Sequence, residues 1–200
     1  MARQSRSLGI DFGTSNSAAG YLVDGQPRLV TMAPGQTTLP STFFFDFETR
    51  RTLIGEGANR ALIDGAEGRF MRALKRVLGT SLMHEPRQIL NERTTFVAVI
   101  ARFLAQIKAQ AEAQAGAPFD HVLSGRPVVF HGVSDPREAQ AQDDLRQCYL
   151  AAGFAHVDFM AEPEAAAIAS PSVTAVNTSL KEWRACGNRA RILSDTIDSR

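Results

Sequence analysis

Gly9-Ile10-Asp11-Phe12-Gly13-Thr14-Ser15-Asn16-Ser17 is the stretch on which the reading of the whole chain turns. A short apolar run ends in an aspartate. A glycine follows, then a cluster of hydroxyl and amide side chains. In physical terms, a strand delivers a carboxylate to a tight turn. Gly13 lets the backbone come close to an anion, and the turn's amides, with Thr14, Ser15 and Asn16, can donate hydrogen bonds to phosphate oxygens. Asp11 at the strand end can hold a magnesium ion, usually through its waters. A plain hairpin turn with polar residues has the same pattern, so on these residues alone both readings stand.

Working outward, a second apolar run at 18–23 is followed by Asp24-Gly25, a turn pair that predicts a hairpin because glycine tolerates positive φ. Three antiparallel strands in a row are expected there. The run 41–47, with 52–54 nearby, predicts another hairpin with its turn near 48–51. A short helix is expected over 58–63. At 69–78, Phe70, Leu74, Val77 and Leu78 fall on one helical face and Arg72, Lys75 and Arg76 point away, which predicts a helix closed by Gly79. The longest helix is expected over 94–115, where Phe96, Ile100, Phe103, Leu104 and Ile107 repeat at steps of three and four. Then come a strand at 121–130 interrupted at Pro127, a helix at 137–152, a strand at 156–160 and a helix start at Glu162-Pro163. Strand, helix, strand, helix implies a parallel part of the sheet. The expected fold class is therefore α/β, a mixed sheet with flanking helices.

The bulk numbers narrow the function. Lys and Arg total 22 against 21 Asp and Glu, a balance that argues against a nucleic-acid binder relying on bulk charge. The two cysteines, Cys148 and Cys186, are far apart, and the four histidines sit singly, so neither a disulfide framework nor a zinc site is expected. The basic start at 1–7 meets Asp11 before any long apolar stretch, and no run reaches about 18 apolar residues, so no signal peptide or membrane helix is expected and the protein is read as cytoplasmic.

The 9–17 segment resembles the first phosphate motif of the actin-like ATPase superfamily, which includes sugar kinases, actin relatives and DnaK-type heat-shock chaperones. Its Thr-Ser-Asn-Ser ending looks most like the chaperones. Three further segments match in family order. Leu53-Ile54-Gly55-Glu56-Gly57-Ala58 resembles the "L-[VI]-G-x-x-A" hairpin end. Leu74-Lys75-Arg76-Val77-Leu78-Gly79 resembles "K-R-x-[IL]-G". Ala161-Glu162-Pro163-Glu164-Ala165-Ala166-Ala167-Ile168-Ala169 resembles the "N-E-P-x-A-A-A-x-A" connecting motif. Each is weak alone; four in order over residues 7–170 are specific. The resemblance implies the ribonuclease H-like lobe of an actin-like ATPase, with ATP and magnesium as ligands and unfolded proteins and co-chaperones as partners.

Two residues gain roles only through that resemblance. A lysine such as Lys75 on a polar helix face is ordinarily solvated. The matching family lysine faces the terminal phosphate, where a cation stabilises charge building on the transferred group. Glu162-Pro163 is an ordinary helix start on its own; the matching family glutamate helps order water near the magnesium-phosphate region. The implied catalytic residues are thus Lys75 and Glu162, beside the nucleotide-binding Asp11, Gly13, Thr14, Ser15 and Asn16.

Departures from the pattern matter as much. The segment Arg126-Pro127-Val128-Val129-Phe130 keeps only the proline and phenylalanine of "V-P-A-Y-F", and the stretch down to Gly153 is longer than in the standard chaperone. The family's switch arginine has no unambiguous counterpart; Arg137 and Arg146 are candidates. These features are similar to the short, divergent DnaK-like branch. No "D-[LI]-G-G-G-T" run follows the connecting motif, and apolar periodicity fades over 171–200. The expectation is an incomplete first lobe over 1–170 with a divergent or disordered tail over 171–200, from a truncated gene or a frameshift. Two alternatives to an ATP-binding chaperone stay open: a non-enzymatic fragment or interaction module, and a sugar kinase of the same superfamily.

Overall fold

The computed structural model describes residues 7–132 and 134–161. β1 (Ser7–Phe12) and β2 (Asn16–Val23) are antiparallel, with Asp11 opposite Ala18 and Phe12 opposite Ser17. β3 (Gln26–Leu29) follows through Asp24-Gly25, whose φ values of 51° and 78° are both positive, as a type I′ turn needs. β4 (Thr38–Pro40) pairs with the other end of β2, so that β3 and β4 lie one after the other along its outer edge. The three consecutive antiparallel strands expected from the sequence are present.

A second sheet is built on β5 (Thr42–Asp46), which lies between β6 (Thr52–Ile54) and β7 (Gly68–Arg72). α1 (Glu56–Ile63) connects β6 to β7. β7 replaces the N-terminal half of the helix expected over 69–78. Arg72 pairs with Thr42 and Gly68 with Asp46, so the strand is held along its whole length by β5. Non-local pairing with a strand that buries Phe43, Phe44 and Phe45 outweighs the local helical spacing. Ala73 then takes a left-handed conformation, φ 58°, and Leu74–Val77 forms one 3-10 turn. Lys75 therefore sits half-buried on a turn after a strand, not on the outer face of a helix.

A small hairpin of β8 (Arg87–Ile89) and β9 (Glu92–Thr94) leads into α2 (Phe96–Ala115). The Thr95 hydroxyl accepts the Ala98 N–H at its start, and Gly116, φ 67°, ends it. β10 (His121–Arg126), α3 (Arg137–Ala151) and β11 (His156–Ala161) complete the main sheet, whose order is β11-β10-β1-β2-β3. β10 runs parallel to both β1 and β11, the parallel part that the alternation of strand and helix implies.

The core lies on one face of this sheet. Leu8, Ile10 and Phe12 point into it from β1; Ser7, Gly9 and Asp11 take the opposite face. α2 packs Phe96, Ile100, Phe103, Leu104 and Ile107 inward, and α3 adds Ala141, Leu145, Cys148 and Tyr149 at helical spacing. Phe103 joins the two sheets, its ring centroid 5.8 Å from Phe12 and 5.6 Å from Phe43. Phe103→Ala is expected to destabilise the chain by about 3–5 kcal/mol. Urea unfolding followed by circular dichroism reads this directly.

Candidate nucleotide site

The turn between β1 and β2 is shaped by two constraints. A Cβ on Gly13 would lie 2.0 Å from the Asn16 carbonyl oxygen, so only glycine lets the chain fold back this tightly. The space that Gly13 leaves open is thus taken by the turn's own backbone, which refines the expectation that it serves direct approach of an anion. The second constraint is Ser41. Its N–H donates to the Ser15 carbonyl at 2.8 Å, and its hydroxyl shares a buried hydrogen bond of 2.9 Å with Ser17. These bonds fasten the turn to the strand that follows, while Asp11, Ser15 and Asn16 stay exposed and Thr14 half-buried.

The same anchor links the turn to Lys75. Ser41 precedes Thr42, and Thr42 pairs with Arg72 at the end of β7, three residues before Lys75. Leu74 is buried in the core cluster that also contains Phe12 and Phe43. The turn at 13–16 and the turn bearing Lys75 therefore emerge at corresponding strand ends. Thr42 itself is held by Gly55 and Asn59: its hydroxyl lies 3.2 Å from the Gly55 carbonyl and 3.0 Å from the Asn59 side-chain oxygen. Gly55 has φ 64°, so the "L-[VI]-G-x-x-A" glycine is required by conformation, and a Cβ there would also press on the end of the Leu39 side chain at 2.5 Å.

Chemically, the turn presents one carboxylate, two hydroxyls, a side-chain amide and backbone N–H groups. This set of oxygen ligands and N–H and O–H donors fits a hard divalent cation and phosphate oxygens. Asp11 is the one residue of the turn that could hold magnesium. Its negative charge also reaches Tyr149, whose phenol is pushed up in pKa, first by burial and further by that charge. The Tyr149 hydroxyl is 2.8 Å from that of Ser124, and Ser124 pairs in register with Ile10, one residue before Asp11.

The two arginines singled out from the sequence have structural roles. Arg137 is exposed and pairs with Asp135, Nη2 to Oδ2 at 2.7 Å. Arg146 donates to the Val157 carbonyl at 2.5 Å and lies 5.0 Å over the Phe159 ring. Glu162 lies outside the described residues, and so does the rest of the connecting motif after Ala161. Sequence reasoning missed Glu138, in the first turn of α3. Its carboxylate accepts the backbone N–H groups of Phe130, His131 and Gly132 at 2.9, 2.6 and 3.2 Å. An acid in the first turn of an amphipathic helix was the available signal.

A mixed five-strand order with a glycine turn between its first two strands, followed by a strand-helix-strand unit, belongs to the actin-like ATPase class. A family model described as "Hsp70 protein" matches residues 7–170, and the chain belongs to the Hsp70 family. It is 32% identical to the chaperone protein DnaK of Methanothermobacter thermautotrophicus over 84% of this chain and 27% of that protein. Identity to the DnaK of Thermoplasma acidophilum is 31%, over 82% of this chain and 26% of the relative. For Metamycoplasma hominis DnaK the values are 30%, 81% and 25%. The chain spans about a quarter of the length of these relatives.

Two outcomes follow from the geometry. Gly13→Ala is expected to cost about 1–3 kcal/mol through the clash with Asn16; a lowered thermal midpoint with shifted amide resonances at 13–17 would show it. Glu138 is held below the usual carboxylate range, chiefly by the His131 N–H bond and then by that of Phe130. A depressed folded value stabilises the fold above the unfolded value and is lost as pH falls through the folded one. Glu138→Gln is therefore expected to lose less stability than the unsubstituted chain between about pH 5 and 3, measured as urea midpoints at each pH.

Proposed function

We propose that this chain forms one wall of the nucleotide site of a cytoplasmic DnaK-like chaperone that binds ATP with magnesium and, with both lobes present, hydrolyses it. Residues 1–170 would be the nucleotide-binding part and 171–200 a divergent tail. The observation that carries the reading is the link from the 13–16 turn through Ser41 and the Thr42–Arg72 pair to Lys75. In this reading Thr14, Ser15, Asn16 and the turn's amides bind phosphate oxygens. Asp11 holds magnesium, which would neutralise charge on the phosphates. Lys75 lies toward the terminal phosphate, where its ammonium stabilises the charge that builds as the phosphoryl group leaves. Glu162 orders water beside it. Unfolded polypeptides and co-chaperones are the proposed partners of the whole protein, by likeness to the DnaK relatives.

A transition-state role makes a distinctive pattern. In a protein carrying both lobes, Lys75→Ala is expected to slow single-turnover hydrolysis by about a hundredfold or more while weakening ATP binding by less than about tenfold. Equal losses in rate and affinity would refute that role. Stimulation of ATP consumption by a sugar would instead favour a kinase.

A further inference from the structure

The Lys75 turn ends in a peptide group held on both of its polar edges. Leu78 and Gly79 share one peptide bond. Its carbonyl accepts from His131 Nε2 at 2.5 Å, and its N–H donates to Asp144 Oδ2 at 2.7 Å. A carbonyl can only accept, so Nε2 of His131 carries a proton. Asp144 is fully buried on α3, and its other oxygen is occupied as well, 2.8 Å from His84 Nε2 and 2.7 Å from Gln140 Nε2. The histidine is held in turn by Glu138, through the three backbone N–H groups of residues 130–132.

Shape closes the remaining side. Gly79 has φ 78°, and a Cβ there would lie 2.7 Å from the Arg137 carbonyl, 3.0 Å from His131 Nε2 and 3.1 Å from Ala141 Cβ. The start of α3 is therefore seated directly on this glycine. Leu78 is fully buried, so the peptide has no water to fall back on if either partner is lost. Four residues before Gly79, on the 3-10 turn Leu74–Val77 that runs into this peptide, is Lys75.

We propose that Asp144 and His131 are positioning residues for Lys75: they clamp the Leu78–Gly79 peptide from two sides and so fix where the turn presents its ammonium group. The inference rests on the reading of Lys75 as a phosphate-facing cation. It gives the unusual buried carboxylate of α3 a task in the nucleotide site and couples α3 to that site through backbone alone. Neither residue touches nucleotide.

The test reads Lys75 itself, in a protein carrying both lobes, as for the hydrolysis test above. Lysines are acylated with a limiting amine-reactive reagent, with and without MgATP, and modification is counted by peptide mass spectrometry. Lys108, ion-paired with Glu112 on α2, is the internal control. MgATP is expected to protect Lys75 in the unsubstituted chain. Asp144→Leu and His131→Phe, each removing one side of the clamp, should raise the half-protecting MgATP concentration by about tenfold. Asp144→Asn keeps an oxygen for the Gly79 N–H and should stay within about threefold of the unsubstituted chain. Because His131 is half-buried, His131→Phe keeps the test open if Asp144→Leu does not fold. Unchanged protection in a folded Asp144→Leu or His131→Phe overturns the clamp while leaving the reading of Lys75 intact. Absence of protection in the unsubstituted chain overturns that reading and the clamp's role with it.

Discussion

Everything in this fold is organised around the alternation of side chains along β1. The strand is paired on both sides, in parallel to β10 and antiparallel to β2. Its even-numbered residues Leu8, Ile10 and Phe12 fill the core, and Asp11 between them lies on the other face. A slip of one residue in either ladder would carry a carboxylate into the core and three large apolar side chains out of it. The register that builds the core is therefore the register that delivers Asp11 to the turn. Stability and site share one constraint.

The second principle is that the site is assembled by non-local bonds from segments that are individually unremarkable. Residues 13–16 form a tight loop because Gly13 leaves room for the Asn16 carbonyl, and Ser41 and the pairing of Asn16 with Pro40 tie the loop down. Lys75 follows β7, which is zipped to β5 along five residue pairs. A three-phenylalanine strand thus does two jobs. It buries apolar surface, and it aligns the ends of chain segments about thirty residues apart in sequence.

How much of this was legible beforehand follows from how local each signal is. The Asp24-Gly25 hairpin, the long helix and the parallel unit were readable, because turn chemistry and apolar spacing act within a few residues. The 9–17 turn was readable for the same reason. β7 was not. Phe70, Leu74, Val77 and Leu78 carry helical spacing, and what overrides it is a partner strand more than twenty residues earlier. Gly68 was the overlooked hint: a Cβ there would meet the Phe44 ring at 2.5 Å, a closeness that cross-strand packing requires and a helix would not. The β8–β9 hairpin was missed because its turn uses Leu90 at φ 53°, a residue that advertises no such conformation. Lys75 was placed on the wrong element, since its motif is carried by residue types while its element is decided by pairing elsewhere. Asp144 gave no sign at all, because an acid on an amphipathic helix ordinarily faces water.

One detail of the first hairpin bears on how the molecule meets its neighbours. In a two-residue turn the flanking pair, Val23 and Gln26, is the hydrogen-bonded one, so at the next pair the backbone groups of β3 point away from β2. That outward position is Pro27, which has no N–H to offer. The outer margin of the sheet is thus missing a donor where an incoming strand would look for one, and Arg28 beside it adds charge and bulk. In a crowded solution rich in extended, unfolded polypeptide, this margin is a poor template. Among the described residues, a single imino acid is what weakens that stretch of the sheet's margin as a site of recruitment.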